Sequence, residues 1–170
     1  MRQTLYLPWL EMQDEKESVR FNIRPAVSGE AAPLTELAVR SKSHWGYDSQ
    51  FIEDSRADLT VTPDAIDRGR VFVAESAGVV AGFYSLSGEG EEAEVELLFV
   101  EPRQIGTGAG RALWRHAAAT ARRLGFRTLV VASDPFAEPF YCAMGAVRVG
   151  ERESIVRAGR MLPLLRYPLD

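Results

Sequence analysis

The run Val100-Glu101-Pro102-Arg103-Gln104-Ile105-Gly106-Thr107-Gly108-Ala109-Gly110-Arg111 constrains this chain more than any other stretch. An apolar, strand-like segment, AEVELLFV, stops at a proline. Alternate glycines follow, and then apolar residues recur at helical spacing, with Leu113, Ala117, Ala121 and Leu124 on one face. A chain passing from strand through a glycine turn into a helix presents unpaired N–H groups at the positive end of that helix. Glycine also tolerates positive φ and lets a ligand approach the backbone closely. Such a turn suits a phosphate or pyrophosphate, with Arg111 as a cation at its rim. A Walker-type loop fails here, because no lysine follows the glycines. A dinucleotide loop fits poorly, since the third glycine comes one residue early and the loop sits late in the chain.

The segments around this junction read as a mixed α/β domain. FNIRPA alternates like a first strand. Ser28 is the expected N-cap of a helix ending near Ser41, and Ser49–Asp58 reads as a second short helix. Thr62-Pro63 is a cap with proline at the first helical position. VFVAES and VVAGFYSL form a hairpin around Ala77-Gly78, SGEGEE is the next turn, and AEVELLFVEP is a third strand of the meander. After the glycine loop comes a helix closed by Gly125. RTLVVAS is then a strand buried on both faces, PFAEPFYCAMG a short helix closed by Gly145, and AVRVGE and RMLPLLRYPL two closing strands. This gives six to seven strands and about four helices. Residues 1–20 are set apart as an N-terminal extension from a domain spanning 21–170.

Composition narrows the function. Of 170 residues, 46% are hydrophobic and 26% charged, which suits one globular domain with a full core. The net charge is −4 and the basic residues are dispersed, which argues against nucleic acid as a partner. No apolar run reaches the ~18 residues of a membrane span. The single cysteine, Cys142, and the two separated histidines, His44 and His116, offer no zinc or other metal site and suit a reducing cytoplasm. Nearly all basic residues are arginine; the only lysines are Lys16 and Lys42.

Two linked motifs then give the chain a family resemblance. Phe99-Val100-Glu101-Pro102 with Gly106, Gly108 and Gly110 resembles the acyl-CoA loop of the GNAT N-acetyltransferases. Downstream, Asp134-Pro-Phe-Ala137-Glu-Pro-Phe140-Tyr141-x-x-x-Gly145 resembles that family's N-x-x-A-x-x-F-Y-x-x-x-G-F signature. The order of elements agrees from Phe21 onward. Departures are Ile105 for the usual Arg or Gln, Asp134 for Asn, and Ala146 for Phe.

The resemblance implies the GNAT fold and acetyl-CoA as co-substrate. Gly106, Thr107, Gly108, Ala109, Gly110 and Arg111 would hold the pyrophosphate. Leu98, Phe99 and Val100 would line the pantetheine arm between two splayed strands, and Asp134 would face the same arm. A freed amide there would polarise the acetyl carbonyl. Tyr141 matches the general acid that protonates the thiolate. For the base, Glu94 and Glu96 are two residues apart on the strand, hence on one face, shared with Leu98 and Val100. His44, Trp45 and Tyr47 fall in the loop that covers the acceptor. They either recognise the acceptor, with His44 an alternative base, or anchor the loop. The implied activity is direct acetyl transfer in a ternary complex to the amine of a small molecule or peptide. Charge alone favours a cationic amine. A non-catalytic acyl-CoA sensor is the alternative, and a homodimer is also implied by the family.

Overall fold

The computed structural model describes residues 20–169, so the proposed extension lies outside the described residues apart from Arg20. The chain runs β1 (Asn22–Pro25), a 3-10 turn (Ser28–Glu30), α1 (Ala31–Ser43), α2 (Ser49–Asp54), α3 (Arg56–Leu59) and α4 (Pro63–Asp67). It continues through β2 (Val71–Ser76), β3 (Val79–Glu89), β4 (Glu92–Val100) and a second 3-10 turn (Pro102–Gln104). Then come α5 (Ala109–Arg123), β5 (Thr128–Ala132), α6 (Glu138–Ala143), β6 (Val147–Glu153) and β7 (Met161–Pro168). The sheet order is β1-β2-β3-β4-β5-β7-β6. Every neighbouring pair is antiparallel except β4 and β5, which run parallel over Glu92–Thr128, Ala93–Leu129 and Glu94–Val130 only.

Each face of the sheet carries its own core. On one side α5 packs Leu113, Trp114, Ala117 and Ala121 against Tyr84, Val95, Leu129 and Leu165. Its alanines leave little side chain between helix and sheet, so the contact is close, while Leu113 and Trp114 each contribute ~2–3 kcal/mol of burial. On the other side α1 places Leu34, Leu37 and Ala38 against Val71, Val73 and Phe83. β5 lies between the layers and buries Leu129, Val130 and Val131, as its continuous apolar run requires.

Local chemistry sets the boundaries. Ala77 (φ 52°) and Gly78 (φ 77°) both occupy the left-handed region, as a two-residue turn matched to strand twist demands. The Thr62 hydroxyl caps α4 through the Ala65 amide. Several expectations are corrected. Ser28 is not a cap: its hydroxyl donates to Asp67, while the Glu30 carboxylate takes the Val27 amide. The 49–58 segment is two helices broken at Ser55, whose buried hydroxyl turns back onto the Phe51 carbonyl. SGEGEE is mostly strand, with Gly90 alone in the left-handed region, at the end of β4 remote from the glycine loop. Leu124 leaves the apolar stripe of α5 at its C-cap and is exposed.

His116 bonds the buried Tyr84 hydroxyl at 2.8 Å and packs on Phe72. Burial, followed by the charge of Arg123, holds its imidazole below the usual range near 6.5. A lowered folded-state pKa stabilises the fold above ~6.5 and withdraws that contribution as pH falls through the lowered value. Urea midpoints should therefore drop below pH ~6.5, and His116→Gln should lose that component of the pH dependence.

Candidate active site

The site begins where β4 and β5 separate. β4 keeps its ladder with β3 to Gly82–Val100, but pairs with β5 no further than Glu94–Val130. Two residues on, β4 carries a bulge: Val95 faces Leu86 and Leu97 faces Ser85, so Glu96 is the extra residue. A bulge bends its strand and increases the local twist, here just where the parallel partner is lost. β5 meanwhile follows β7, and the Ser133 amide bonds the Pro163 carbonyl at 2.8 Å. Between the diverging strands lies a cavity of about 620 Å³.

The bulge also corrects the expected facing of the strand. Ala93 and Val95 point into the α5 core, and beyond the extra residue so do Leu98 and Val100, while Leu97 and Phe99 turn to the α1 core. Glu94 therefore does not share a face with Leu98 and Val100. It lies in a separate depression with Ser87, Glu89 and Glu92, ion-paired to Arg152. Glu96 lines the cavity and Glu94 does not.

At one end the cavity meets the glycine loop. Gly106 (φ 80°) and Gly108 (φ 96°) are both left-handed, and Gly108 is the N-cap of α5. A Cβ at Gly106 would meet nothing within 4 Å, so the backbone faces open space. The Ala112 amide bonds the Gly108 carbonyl at 3.0 Å, and ahead of it the amides of Ala109 and Gly110 open the first turn of α5. Thr107 is spent differently from expectation: its amide (3.2 Å) and hydroxyl (2.7 Å) both donate to the Gln104 carbonyl, bracing the loop. The Ala109 side chain is in the core, so only its backbone can meet a ligand. Donors of this kind fit a pyrophosphate without any particular side chain at Ile105.

Tyr141, on α6, is buried against Trp114 and Phe140 and lines the cavity. Among the described residues nothing takes its hydroxyl as a hydrogen-bond partner. Burial, then the Asp134 carboxylate, pushes that hydroxyl well above the ordinary tyrosine range, so it stays protonated.

At the other end Asp134 joins three segments. Its carboxylate accepts from the Tyr47 hydroxyl (3.0 Å), Lys42 Nζ (3.3 Å), Arg160 Nη2 (3.4 Å) and the Phe136 amide (3.0 Å). Burial alone would raise it, but these partners, the Phe136 amide first and then Lys42 and Tyr47, hold it below the usual carboxylate range. Desolvation pushes Lys42 down against the pull of Asp134, and burial with Asp134 pushes Tyr47 up. Tyr47 is thus a loop anchor. Trp45 stacks on Phe136 at 5.6 Å and both line the cavity, whereas His44 is exposed and meets Trp45 edge-on.

Sequence reasoning missed Lys42, Phe51, Phe136 and Arg160, which the fold brings from four segments. One signal was present: Lys42 is one of two lysines in an arginine-rich chain. Among the described residues no group of His, Cys, Asp or Glu stands where a metal ion could be held, and no helix is long and apolar enough to cross a membrane.

A family model described as an acetyltransferase (GNAT) domain matches residues 50–163. The chain belongs to the GNAT N-acetyltransferases. A 5-NmdU N-acetyltransferase of Pseudomonas phage PaMx11 is 28% identical to this acetyltransferase over 131 residues, 76% of this chain and 89% of the phage protein. Solved structures that hold coenzyme A or acetyl-CoA share its fold. PaiA N-acetyltransferase of Thermoplasma acidophilum, in complex with coenzyme A, has TM-score 0.73 at 17% identity, covering 87% of this chain and 98% of its own. YncA of Salmonella typhimurium, with acetyl-CoA, has TM-score 0.63 at 23% identity, covering 88% and 94%.

Removing the Asp134 carboxylate would leave two largely buried cations facing each other. Asp134→Ala should cost about 3 kcal/mol in urea unfolding, and Asp134→Asn less, because the amide oxygen still accepts.

Proposed function

We propose that this acetyltransferase moves the acetyl group of acetyl-CoA directly to an amine in a ternary complex. The observation that supports it most is one cavity joining the parted strands, the glycine loop, Glu96 and Tyr141. Acetyl-CoA supplies the activated thioester. The amides of Gly106, Gly108, Ala109 and Gly110 hold its pyrophosphate, with Arg111 at the rim, and the open edge of β4 along Leu98, Phe99 and Val100 pairs with the pantetheine arm as an added strand would. A backbone amide on that edge polarises the acetyl carbonyl. The amine nitrogen bonds to the carbonyl carbon and the carbon–sulfur bond breaks. The Tyr141 hydroxyl gives its proton to the leaving thiolate, and Glu96 takes the proton lost by the amine, directly or through water.

Asp134 serves this site by holding Lys42, Tyr47 and Arg160 rather than by touching the arm, and Trp45 lies against the acceptor. The reaction belongs in the cytoplasm, where Cys142 stays reduced. A second copy pairs along the open edge of β6, where Val147 and Val149 are exposed. The phage relative's name specifies a 5-NmdU acceptor; for this chain an amine is proposed.

Coenzyme A release with an amine panel checks these roles. Tyr141→Phe should lower kcat about 100-fold or more with acetyl-CoA affinity unchanged. Glu96→Gln should lower kcat at neutral pH, and Glu94→Gln should not. Gly108→Val, which forces a branched side chain into φ 96°, should abolish acetyl-CoA binding. Acetyl-CoA binding with no turnover of any amine would favour a non-catalytic sensor.

A further inference from the structure

Resting on the acetyl-transfer function above, we propose that the acceptor carries an acidic group, a carboxylate or a phosphate, which Lys42 and Arg160 bind at the end of the cleft beside Asp134. The charge pattern of that wall carries the proposal. Lys42 and Arg160 line the cavity with side chains only 13% and 18% exposed. Both lie over the ring of Phe51, at 5.3 and 5.1 Å, and Arg157 lies over the same ring at 4.7 Å. Phe51 is itself 1% exposed, so the cations converge on an apolar surface rather than on water.

Like charges gathered where solvent is scarce raise one another's cost unless anions answer them. Asp134 is the carboxylate in contact with both Lys42 and Arg160. Two cations against one carboxylate leave an excess positive charge on this wall. The other carboxylates of the cavity, Asp58 and Glu96, are solvent-exposed, and Asp58 acts on Lys42 more weakly than Asp134 does.

The donors are arranged to spare capacity. Arg160 meets both Tyr47 (2.9 Å) and Asp134 through Nη2. Among the described residues no hydrogen bond falls on its Nε or Nη1, so N–H donors on this charged group remain for single charge-assisted bonds to an anion. Lys42 has three N–H donors and gives one to Asp134. Asp134 and Tyr47 fix both cations, so an incoming anion meets a wall already ordered. Trp45 and Phe136, stacked at the same end, supply an apolar bed for the body of the acceptor. The acceptor then lies with its amine toward Glu96 and its acid toward Lys42 and Arg160. To the cationic amine expected from charge this adds an acidic group.

Matched acceptor pairs test it: amino acids against their carboxamides, and an aminomethyl pyrimidine nucleoside 5′-monophosphate against the nucleoside. In one of the two pairs the acidic member should be favoured about 30-fold in kcat/KM, chiefly through KM. The pair that shows the preference identifies carboxylate or phosphate as the group bound. In Arg160→Gln and in Lys42→Met that preference should shrink to about threefold or less, with acetyl-CoA affinity and melting temperature as controls for the fold. Equal turnover of acidic and neutral members, or equal losses for both in the variants, would overturn the acidic subsite and leave acetyl transfer standing. Turnover of no amine by a protein that binds acetyl-CoA would overturn acetyl transfer and the subsite together.

Discussion

β4 stays hydrogen-bonded to β3 as far as Val100 but gives up β5 after Glu94. Most of what this molecule can do depends on that unequal pairing. A strand edge with unpaired N–H and C=O groups inside a protein is costly unless something else pairs with it. The surrounding structure sustains the cost by fixing both banks. Gly82 lets β3 lie tight on β4, since a Cβ there would sit 2.6 Å from the Phe99 carbonyl oxygen. On the far bank β7 holds β5, and α5, which follows β4 and precedes β5, packs across the same face of the sheet.

The cleft works by different chemistry at its two ends. At the glycine loop the donors are backbone amides, which carry no net charge and depend on φ rather than on side-chain identity. An acidic chain can hold a polyanion in this way. At the Asp134 end the groups are side chains from α1, the loop after it, the turn that follows β5 and the β6–β7 connection. One carboxylate ties Lys42, Tyr47 and Arg160 together there, so three segments meet at this end of the cleft.

The glycine junction was legible because its chemistry is local: Pro102 ends a strand, Gly106 and Gly108 take positive φ, and the helix follows directly. The same holds for the Ala77-Gly78 hairpin and for the buried run of β5. The position of Glu94 was not legible. Alternation places it on the face of Leu98 and Val100, and one extra residue at Glu96 undoes that alternation without any glycine or proline to mark it. Lys42, Phe136 and Arg160 were hidden for another reason. Each is unremarkable in its own segment and acquires meaning only where the sheet topology brings Asp134 between them. Tyr47 anchors its loop through its bond to Asp134, a partner 87 residues away that its own segment does not reveal.

Hydrogen–deuterium exchange with and without acetyl-CoA tests the central claim most directly, that the parted edge of β4 together with the glycine loop receives the ligand. Amides of residues 95–100 and 106–111 should gain protection, while those of β1 and β2, at the far side of the sheet, stay unchanged. Protection confined to the depression around Glu94 and Arg152, or no added protection along β4, would contradict it.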